Sequence, residues 1–306
     1  MTLSASPQTV PRPSLFAAWW LATRPKTLTA AAAPVLVGLA IAGAGGTVHR
    51  GAALACLLGA WLLQIGSNFA NDVYDHEKGA DDSQRLGPAR AVSSGWISAA
   101  QMKRGMAIVF ALATLVGVYL TAVAGPPIVA IGVASIIAAI AYTGGPYPLG
   151  YNGLGDAFVL IFFGFVAVCG TTFAVGGAVP SEAWVPAAAV GAMTANILVV
   201  NNLRDVAGDR RVGKRTLVVR FGRRAALAQY GGSLLLAYGT PSVLWFVFDY
   251  PIAVHFGLLT LPLAAIVFRS VINARSGEAY NAALAKTAAV LFAYALGLAL
   301  AIGLST

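Results

Sequence analysis

The sequence predicts an all-α polytopic membrane protein, a bundle of about nine transmembrane helices in a single domain over residues 1–306. Composition is the first reason: 58% of the residues are hydrophobic and only 10% are charged, whereas a soluble domain is about 25% charged. The second reason is the mean hydropathy of +0.76, which is that of an apolar chain. The third reason is that apolar residues are gathered in stretches long enough to cross a bilayer as helices. These observations exclude a soluble globular protein, a disordered chain and a secreted disulfide scaffold.

Each apolar stretch is predicted to be a helix, because backbone groups in the hydrocarbon core have no water to bind. Residues 1–14 come first and are expected to be a flexible N-terminal segment. Residues 15–23 follow as an interfacial segment, with Trp19 and Trp20 at headgroup depth. The predicted spans then cover residues 27–45, 51–71, 105–124, 126–143, 155–177, 181–202, 223–247, 251–272 and 283–304.

Charged residues are distributed unevenly over these nine spans. All but one of the 20 Lys and Arg residues fall on the side of the N-terminus, the exception being Arg50. Because cytoplasmic loops carry an excess of Lys and Arg, we predict a cytoplasmic N-terminus in the cell membrane. All but two of the 11 acidic residues lie on the same side, which this rule does not require. The net charge of +9 therefore reflects topology, and we predict no nucleic-acid partner. Because cations and carboxylates gather on the same side, we predict an active site that faces the cytoplasm.

Two polar clusters close the second and the sixth span, over residues 71–82 and 201–216. Each contains the pattern Asn-x-x-x-Asp, followed by a further Asp and a basic run. A spacing of four places both side chains of a pair on one face of a helix. The pairs are Asn71 with Asp75 and Asn201 with Asp205.

Carboxylate and amide oxygens suit hard divalent cations, above all Mg²⁺, which is usually shared with substrate phosphates. Neighbouring cations would bind the remaining phosphate oxygens; they are Lys78, Arg85, Arg90, Arg204, Lys214 and Arg215. An alternative is that these charges only solvate two helix ends. Two matching clusters in a chain so poor in charge favour a diphosphate site instead.

At these motifs the sequence resembles the UbiA superfamily of intramembrane prenyltransferases, and the likeness covers nearly the whole chain. Within that superfamily it is most similar to the 1,4-dihydroxy-2-naphthoate polyprenyltransferases of menaquinone biosynthesis. The runs at residues 78–81 and 144–146 favour this branch over the 4-hydroxybenzoate branch. The segments that carry the likeness are residues 24–28, 71–81, 85–90, 142–146, 149–156 and 201–205.

The resemblance implies an enzyme that transfers a polyprenyl group from polyprenyl diphosphate to 1,4-dihydroxy-2-naphthoate, with loss of carbon dioxide, to give demethylmenaquinol. Two Mg²⁺ ions would bridge the diphosphate of the donor, and the prenyl tail would lie among the apolar helices. The implied metal ligands are Asn71, Asp75 and Asp81 for one ion, and Asn201, Asp205 and Asp209 for the other. The implied catalytic residues are Asp72, Asp75, Tyr142, Asp205 and Asp209.

Binding of the aromatic acid acceptor is assigned to residues beside the spans. Arg24 and Lys26 would meet the diphosphate or the acceptor's carboxylate, or else anchor the first span at the membrane surface. Tyr142 would orient the acceptor, unless it is an aromatic belt residue. Asp156 is most simply a carboxylate at a helix N-terminus.

Two other functions are compatible with parts of the pattern. A transporter for a divalent cation or a phosphorylated lipid would also carry carboxylates in its membrane helices, although here they lie at one face and not at the midplane. Another aromatic prenyltransferase of the same superfamily, acting on 4-hydroxybenzoate or with a phytyl donor, would keep the same motifs. The length of the tail, the polyprenyl or phytyl nature of the donor and the oligomeric state do not follow from the sequence.

Overall fold

The computed structural model describes residues 13–46, 48–80 and 86–305, and this part of the chain is almost entirely helical. Of the flexible segment predicted over residues 1–14, residues 1–12 lie outside the part of the chain that the structure describes. A π-helical stretch, Leu160–Cys169, joins α6 to α7. The helices are α1 (Leu15–Thr23), α2 (Pro25–Ala44), α3 (Arg50–Glu77), α4 (Ala99–Ala124), α5 (Pro127–Ala141), α6 (Gly155–Val159), α7 (Gly170–Gly176), α8 (Trp184–Arg211), α9 (Leu217–Phe248), α10 (Leu261–Asn273) and α11 (Gly277–Gly303).

Within the described residues, 8 helical segments are long and apolar enough to cross a membrane. Some combine consecutive elements: α1 with α2, α6 with the π-helical stretch and α7, and a 3₁₀-helical stretch, Ile252–Thr260, with α10. The predicted fourth span corresponds to α5, which is apolar but has 15 residues and is therefore only about 22 Å long. The prediction of an all-α membrane bundle is confirmed, with one helix shorter than expected.

Both helices that carry the polar motifs extend beyond their predicted ends. The helix predicted over 51–71 continues to Glu77, and the one predicted over 181–202 continues to Arg211. Hydropathy marks where a helix leaves the apolar layer, whereas helical hydrogen bonding continues into the polar region. As a result, both Asn-x-x-x-Asp pairs lie on helices, each on one face of its helix.

Helix α8 packs deep within the bundle and has a buried face along most of its length. It meets the π-helical stretch where two glycines touch: a Cβ added to Gly164 would lie 2.6 Å from the carbonyl oxygen of Ala187 and 3.0 Å from the Cα of Gly191. Residues without side chains allow such a close approach of two helices in a membrane. This contact fixes the position of the helix that ends in the second polar motif.

A cavity of about 1570 Å³ runs through the bundle. Helices α2, α3, α4, α5, α8 and α11 contribute to its wall, together with the segment from α6 to α7. The π-helical stretch supplies Phe162, Phe163 and Val166 to the wall, and such stretches often occur at functional sites. The cavity is thus the space that the bundle leaves open beside both polar motifs.

Candidate active site

The two polar motifs meet at one end of this cavity. Asp75 of α3 and Asp205 of α8 both line it, together with Asn71 and Asn201. The cavity extends away from them between α4 and α5, where its wall includes apolar side chains such as Leu120. The arrangement is amphiphilic, with charges at one end and hydrocarbon along the rest.

Asp75 is contacted by side chains from three other segments of the chain. Its carboxylate is buried, and it accepts hydrogen bonds from Nη2 of Arg90 at 3.0 Å and from the hydroxyl of Tyr151 at 2.8 Å. Nζ of Lys214, which follows α8, lies 3.2 Å from the same carboxylate and 4.0 Å from that of Asp209. The ion pair between Lys214 and Asp75 brings the segments that carry the two polar motifs into contact.

Asp72 has a different environment from Asp75. It is 1% exposed, and its two carboxylate oxygens accept the backbone N–H groups of Ala91 at 3.1 Å and Val92 at 2.9 Å. Both of these residues belong to the connection between α3 and α4. Asp72 therefore anchors that connection against α3, next to the point where Arg90 reaches Asp75.

Arg204 organises the second motif. Its guanidinium donates to both oxygens of Asp205, at 2.8 and 2.6 Å, and to the amide oxygen of Asn201 at 2.7 Å. It also donates to Asn281 of α11 at 2.7 Å, and Asn281 in turn donates to the carbonyl of Leu86 at 3.0 Å. Arg204 thus aligns the Asn-x-x-x-Asp pair of α8 and connects it to α11.

The first motif is held by the connection between α5 and α6. The hydroxyl of Thr143 donates to the amide oxygen of Asn71, and Nζ of Lys78 donates to the carbonyl of Thr143. Lys78 lies at the exposed edge of the site, outside the cavity wall. Partial desolvation lowers the pKa of Lys78, the carboxylate of Asp75 opposes this shift, and the charge of Lys214 adds to it.

Tyr142 lines the cavity directly after α5. Its ring packs between two glycines: a Cβ added to Gly150 would lie 3.0 Å from the ring, and one added to Gly155 would lie 2.9 Å from the hydroxyl. A tyrosine phenol loses its proton only in alkaline solution. The phenol is therefore protonated near neutral pH and can donate a hydrogen bond into the cavity.

The predicted acceptor residues Arg24 and Lys26 both line the cavity. Arg24 has a left-handed backbone conformation (φ 51°) where α1 turns into α2. Asn68 of α3 fastens this turn by donating to the carbonyl of Thr23 at 2.9 Å and to the hydroxyl of Thr27 at 3.0 Å. Both cations are thus next to the cavity, while Asp156 is buried and accepts a hydrogen bond from Gln229 at 2.7 Å.

The oxygen donors at the polar end fit Mg²⁺ only if the substrate supplies further ligands. Among the residues that the structure describes, no three His, Cys, Asp or Glu side chains are close enough together to hold a metal ion. The donors present are carboxylates and amide oxygens, which is the chemistry that Mg²⁺ prefers, and this ion is commonly bound by one or two carboxylates together with substrate phosphates. The site therefore fits a metal that arrives with a diphosphate.

Some predicted residues are not placed in the cavity. Asp81 and Arg85 lie outside the described residues, so their assignments stay predictions. Arg215 is exposed and absent from the cavity wall, and its backbone N–H donates to the carbonyl of Tyr151 at 2.7 Å.

Sequence reasoning also missed residues of the site. Tyr151 and Thr143 lie within or beside the segments that carry the family likeness, which was the only signal for them. Asn281 lies 77 positions from Arg204 and had no local signal.

The amino-acid sequence of the chain is similar to those of known prenyltransferases. A family model described as the UbiA prenyltransferase family matches residues 31–296. The 1,4-dihydroxy-2-naphthoate octaprenyltransferase of Escherichia coli (strain K12) is 43% identical over 225 residues, which are 72% of this chain and 73% of that protein. The 1,4-dihydroxy-2-naphthoate octaprenyltransferase of Mycobacterium tuberculosis is 36% identical over 287 residues, 93% of this chain and 96% of that protein.

The fold has a counterpart among solved structures. A UbiA homolog from Archaeoglobus fulgidus bound to DMAPP and Mg²⁺ superimposes with a TM-score of 0.62 at 16% identity, over 92% of this chain and 98% of that one. At that identity the likeness shows a common fold.

Proposed function

The chain belongs to the UbiA prenyltransferase family, and we propose that it transfers a polyprenyl group from a polyprenyl diphosphate to 1,4-dihydroxy-2-naphthoate, with loss of carbon dioxide. The product would be demethylmenaquinol, an intermediate of menaquinone biosynthesis. The acceptor is inferred from the two relatives described above, whose names state this substrate.

One observation carries the proposal: a single cavity joins two facing polar motifs to a long apolar interior. The ion pair of 3.2 Å between Lys214 and Asp75 connects the motifs at the polar end. A polyprenyl diphosphate has the same division, with a charged head and a hydrocarbon tail. A cavity with charges at one end and apolar helices along its length would accept such a molecule lengthwise.

Three buried or partly buried cations would bind the head group. Arg90 and Lys214 converge on Asp75, and Arg204 is held by the second motif, so that all three have defined positions at the polar end. Hydrogen bonds from a cation to a phosphate oxygen are stronger than those between neutral groups. The exposed Lys78 and Arg215 would attract the diphosphate to the site, and the same role is proposed for Arg85.

Mg²⁺ would be bound jointly by the protein and the diphosphate, with two ions proposed. The protein donors would be Asn71, Asp75 and Asp81 for one ion, and Asn201, Asp205 and Asp209 for the other. When bound, Mg²⁺ neutralises the charge that develops on the leaving diphosphate. The role of this chain is to align those donors, which Thr143 does for Asn71 and Arg204 does for Asn201 and Asp205.

Transfer would begin when the allylic C–O bond breaks and the bonding electrons leave with the diphosphate. The naphthoate ring would attack the resulting carbocation, and the carboxylate would leave as carbon dioxide. The apolar wall around the reacting carbon would exclude water, which would otherwise give a prenyl alcohol. Tyr142 would donate a hydrogen bond to the acceptor, and Arg24 or Lys26 would bind its carboxylate.

The orientation proposed for the bundle places this site at the cytoplasmic face of the cell membrane. The bias of Lys and Arg to one side supports it. The charged head of the prenyl donor would then enter from the cytoplasm, while its tail stays in the bilayer.

The proposal is tested by measuring prenyl transfer with the purified protein in lipid nanodiscs. The reaction contains 1,4-dihydroxy-2-naphthoate, a polyprenyl diphosphate and Mg²⁺, and the prenylated quinone is detected by mass spectrometry. We expect product with the wild type, none with EDTA, and a loss of kcat/KM of about 100-fold or more for Asp75→Asn and for Asp205→Asn.

Asp249→Asn is the matched control, since Asp249 is an exposed carboxylate between α9 and α10. It should keep kcat/KM within about twofold of the wild type. Product with 4-hydroxybenzoate but not with the naphthoate would move the protein to another branch of the family. Absence of product with every aromatic acceptor, from protein that remains folded, would refute the proposal.

A further inference from the structure

Tyr151 lies between two lysines that come from different segments of the chain. Nζ of Lys78, after α3, is 4.8 Å from the centre of the Tyr151 ring, and Nζ of Lys214, after α8, is 4.4 Å from it. Both distances fall within the roughly 6 Å over which an ammonium is attracted to an aromatic face. The ring therefore faces cations from both polar motifs.

The ring is positioned by its own backbone and not by the lysines. The carbonyl of Tyr151 accepts the N–H of Arg215 at 2.7 Å, and the carbonyl of the next residue, Asn152, accepts a hydrogen bond from Arg220 at 2.9 Å. Gly153 then turns the chain with a φ of +79°, and a Cβ there would lie 2.7 Å from the carbonyl oxygen of Arg215. The short turn Leu149–Asn152 is thus fastened to the segment that follows α8.

The hydroxyl of Tyr151 has a separate role. It donates to Asp75 at 2.8 Å, onto the same oxygen that Lys214 approaches at 3.2 Å. Two ammonium groups in one small region repel each other, while Lys214 also pairs with Asp75 and Lys78 donates to the carbonyl of Thr143. An aromatic face attracts a cation without neutralising it, so the Tyr151 ring adds to these contacts and draws both ammonium groups to the same place.

We propose that Tyr151 is a positioning residue that holds Lys78 and Lys214 in place, so that cations from two segments act on one diphosphate. The inference rests on the proposed function in one respect, namely that the anion is the diphosphate of the prenyl donor. Lys214 binds it at the cavity wall, and Lys78 acts from the exposed edge.

The test compares Tyr151→Leu, which removes the ring, with Tyr151→Phe, which keeps the ring and removes only the hydroxyl. For Tyr151→Leu we expect the KM for the prenyl diphosphate to rise about tenfold, with a smaller change in kcat and none in the KM for the acceptor. For Tyr151→Phe the KM for the diphosphate should stay within about threefold of the wild type. Tyr147→Leu is the matched control, because Tyr147 is in the same connection but is 61% exposed.

A second measurement tests whether Tyr151 acts through the lysines. In the background of Lys78→Met and Lys214→Met together, Tyr151→Leu should change the KM for the diphosphate by less than about twofold, since the cations that it positions are gone. The same affinities are measured by calorimetry with an unreactive prenyl thiodiphosphate and Mg²⁺. Thermal unfolding of each variant shows whether it remains folded.

The inference is overturned if Tyr151→Leu binds the analogue as tightly as the wild type does, or if Tyr151→Phe is as impaired as Tyr151→Leu. In the second case the hydroxyl on Asp75 would account for the effect. A wild type that binds no prenyl thiodiphosphate at all would instead refute the proposed function, so the two failures are distinguishable.

Discussion

Replacing Asp72 by Asn separates two roles for this residue: a ligand of the reaction, as the motif suggests, or an anchor for the connection between α3 and α4. The substitution keeps the size of the side chain but converts one acceptor oxygen into an NH₂ group. That group then faces a backbone N–H of Ala91 or Val92, which at present donates to Asp72 at 3.1 or 2.9 Å. Two donors pointing at each other cannot form a hydrogen bond.

The size of the effect follows from these two hydrogen bonds. A hydrogen bond to a charged group contributes about 1.5–3 kcal/mol, and a buried N–H without a partner costs about 1–3 kcal/mol. Because one hydrogen bond is broken and the other becomes weaker, we expect the free energy of local opening to fall by about 2–3 kcal/mol. That corresponds to exchange of the Ala91 and Val92 amide hydrogens faster by about 30- to 150-fold.

Hydrogen–deuterium exchange followed by mass spectrometry measures this directly in peptides that cover residues 89–98. Activity should fall as well, with a higher KM for the prenyl diphosphate, since Arg90 adjoins the loosened connection and contacts Asp75. Glu77→Gln on the same helix is the control, because Glu77 is exposed and pairs with Lys103 at the surface. If Asp72→Asn leaves exchange unchanged but abolishes activity and raises the Mg²⁺ concentration that is needed, the anchoring role is wrong.

Two further predictions concern the cavity wall. Gly155→Ala should raise the KM for the aromatic acceptor about fivefold and leave the KM for the diphosphate unchanged, because the new Cβ would lie 2.9 Å from the hydroxyl of Tyr142. Steady-state kinetics with each substrate varied in turn checks this. Gly239→Ala is the control, because a Cβ at Gly239 meets nothing within 4 Å. An equal rise in both KM values would contradict a specific effect on Tyr142. Gly117→Phe should raise the preference for short over long prenyl donors about tenfold, because Gly117 lines the cavity with nothing within 4 Å of an added Cβ. Competition between donors of different length measures this preference, and Leu235→Phe is the control because Leu235 is on the exposed surface of the bundle. An unchanged ratio of short to long products would show that the tail does not pass Gly117.

The site has consequences for how the two motifs cooperate. Each motif looks self-sufficient in the sequence, yet the closest ion pair of Lys214 is with Asp75 of the other motif. The second motif is in turn aligned by Arg204, whose guanidinium also reaches Asn281. Because the charged groups are shared between segments, a substitution in one motif should also disturb the other.

The sequence by itself determined the class of fold and predicted where along the chain the candidate site lies. Hydropathy over about 20 residues is a local property, so it identified the spans. The repeated Asn-x-x-x-Asp pattern is also local, so it predicted which helix ends carry the proposed donors. It placed the helix ends less well, since α3 and α8 continue into the polar region beyond the apolar residues.

Only the tertiary structure distinguished between neighbours of similar chemistry. Asp72 and Asp75 are three positions apart, but one accepts backbone N–H groups from 19 and 20 positions away and the other accepts Tyr151 from 76 positions away. Lys214 lines the cavity, whereas Arg215 beside it is exposed. These differences depend on which distant segment packs against each side chain, and such packing forms only when the bundle closes, so no local pattern in the sequence encodes them.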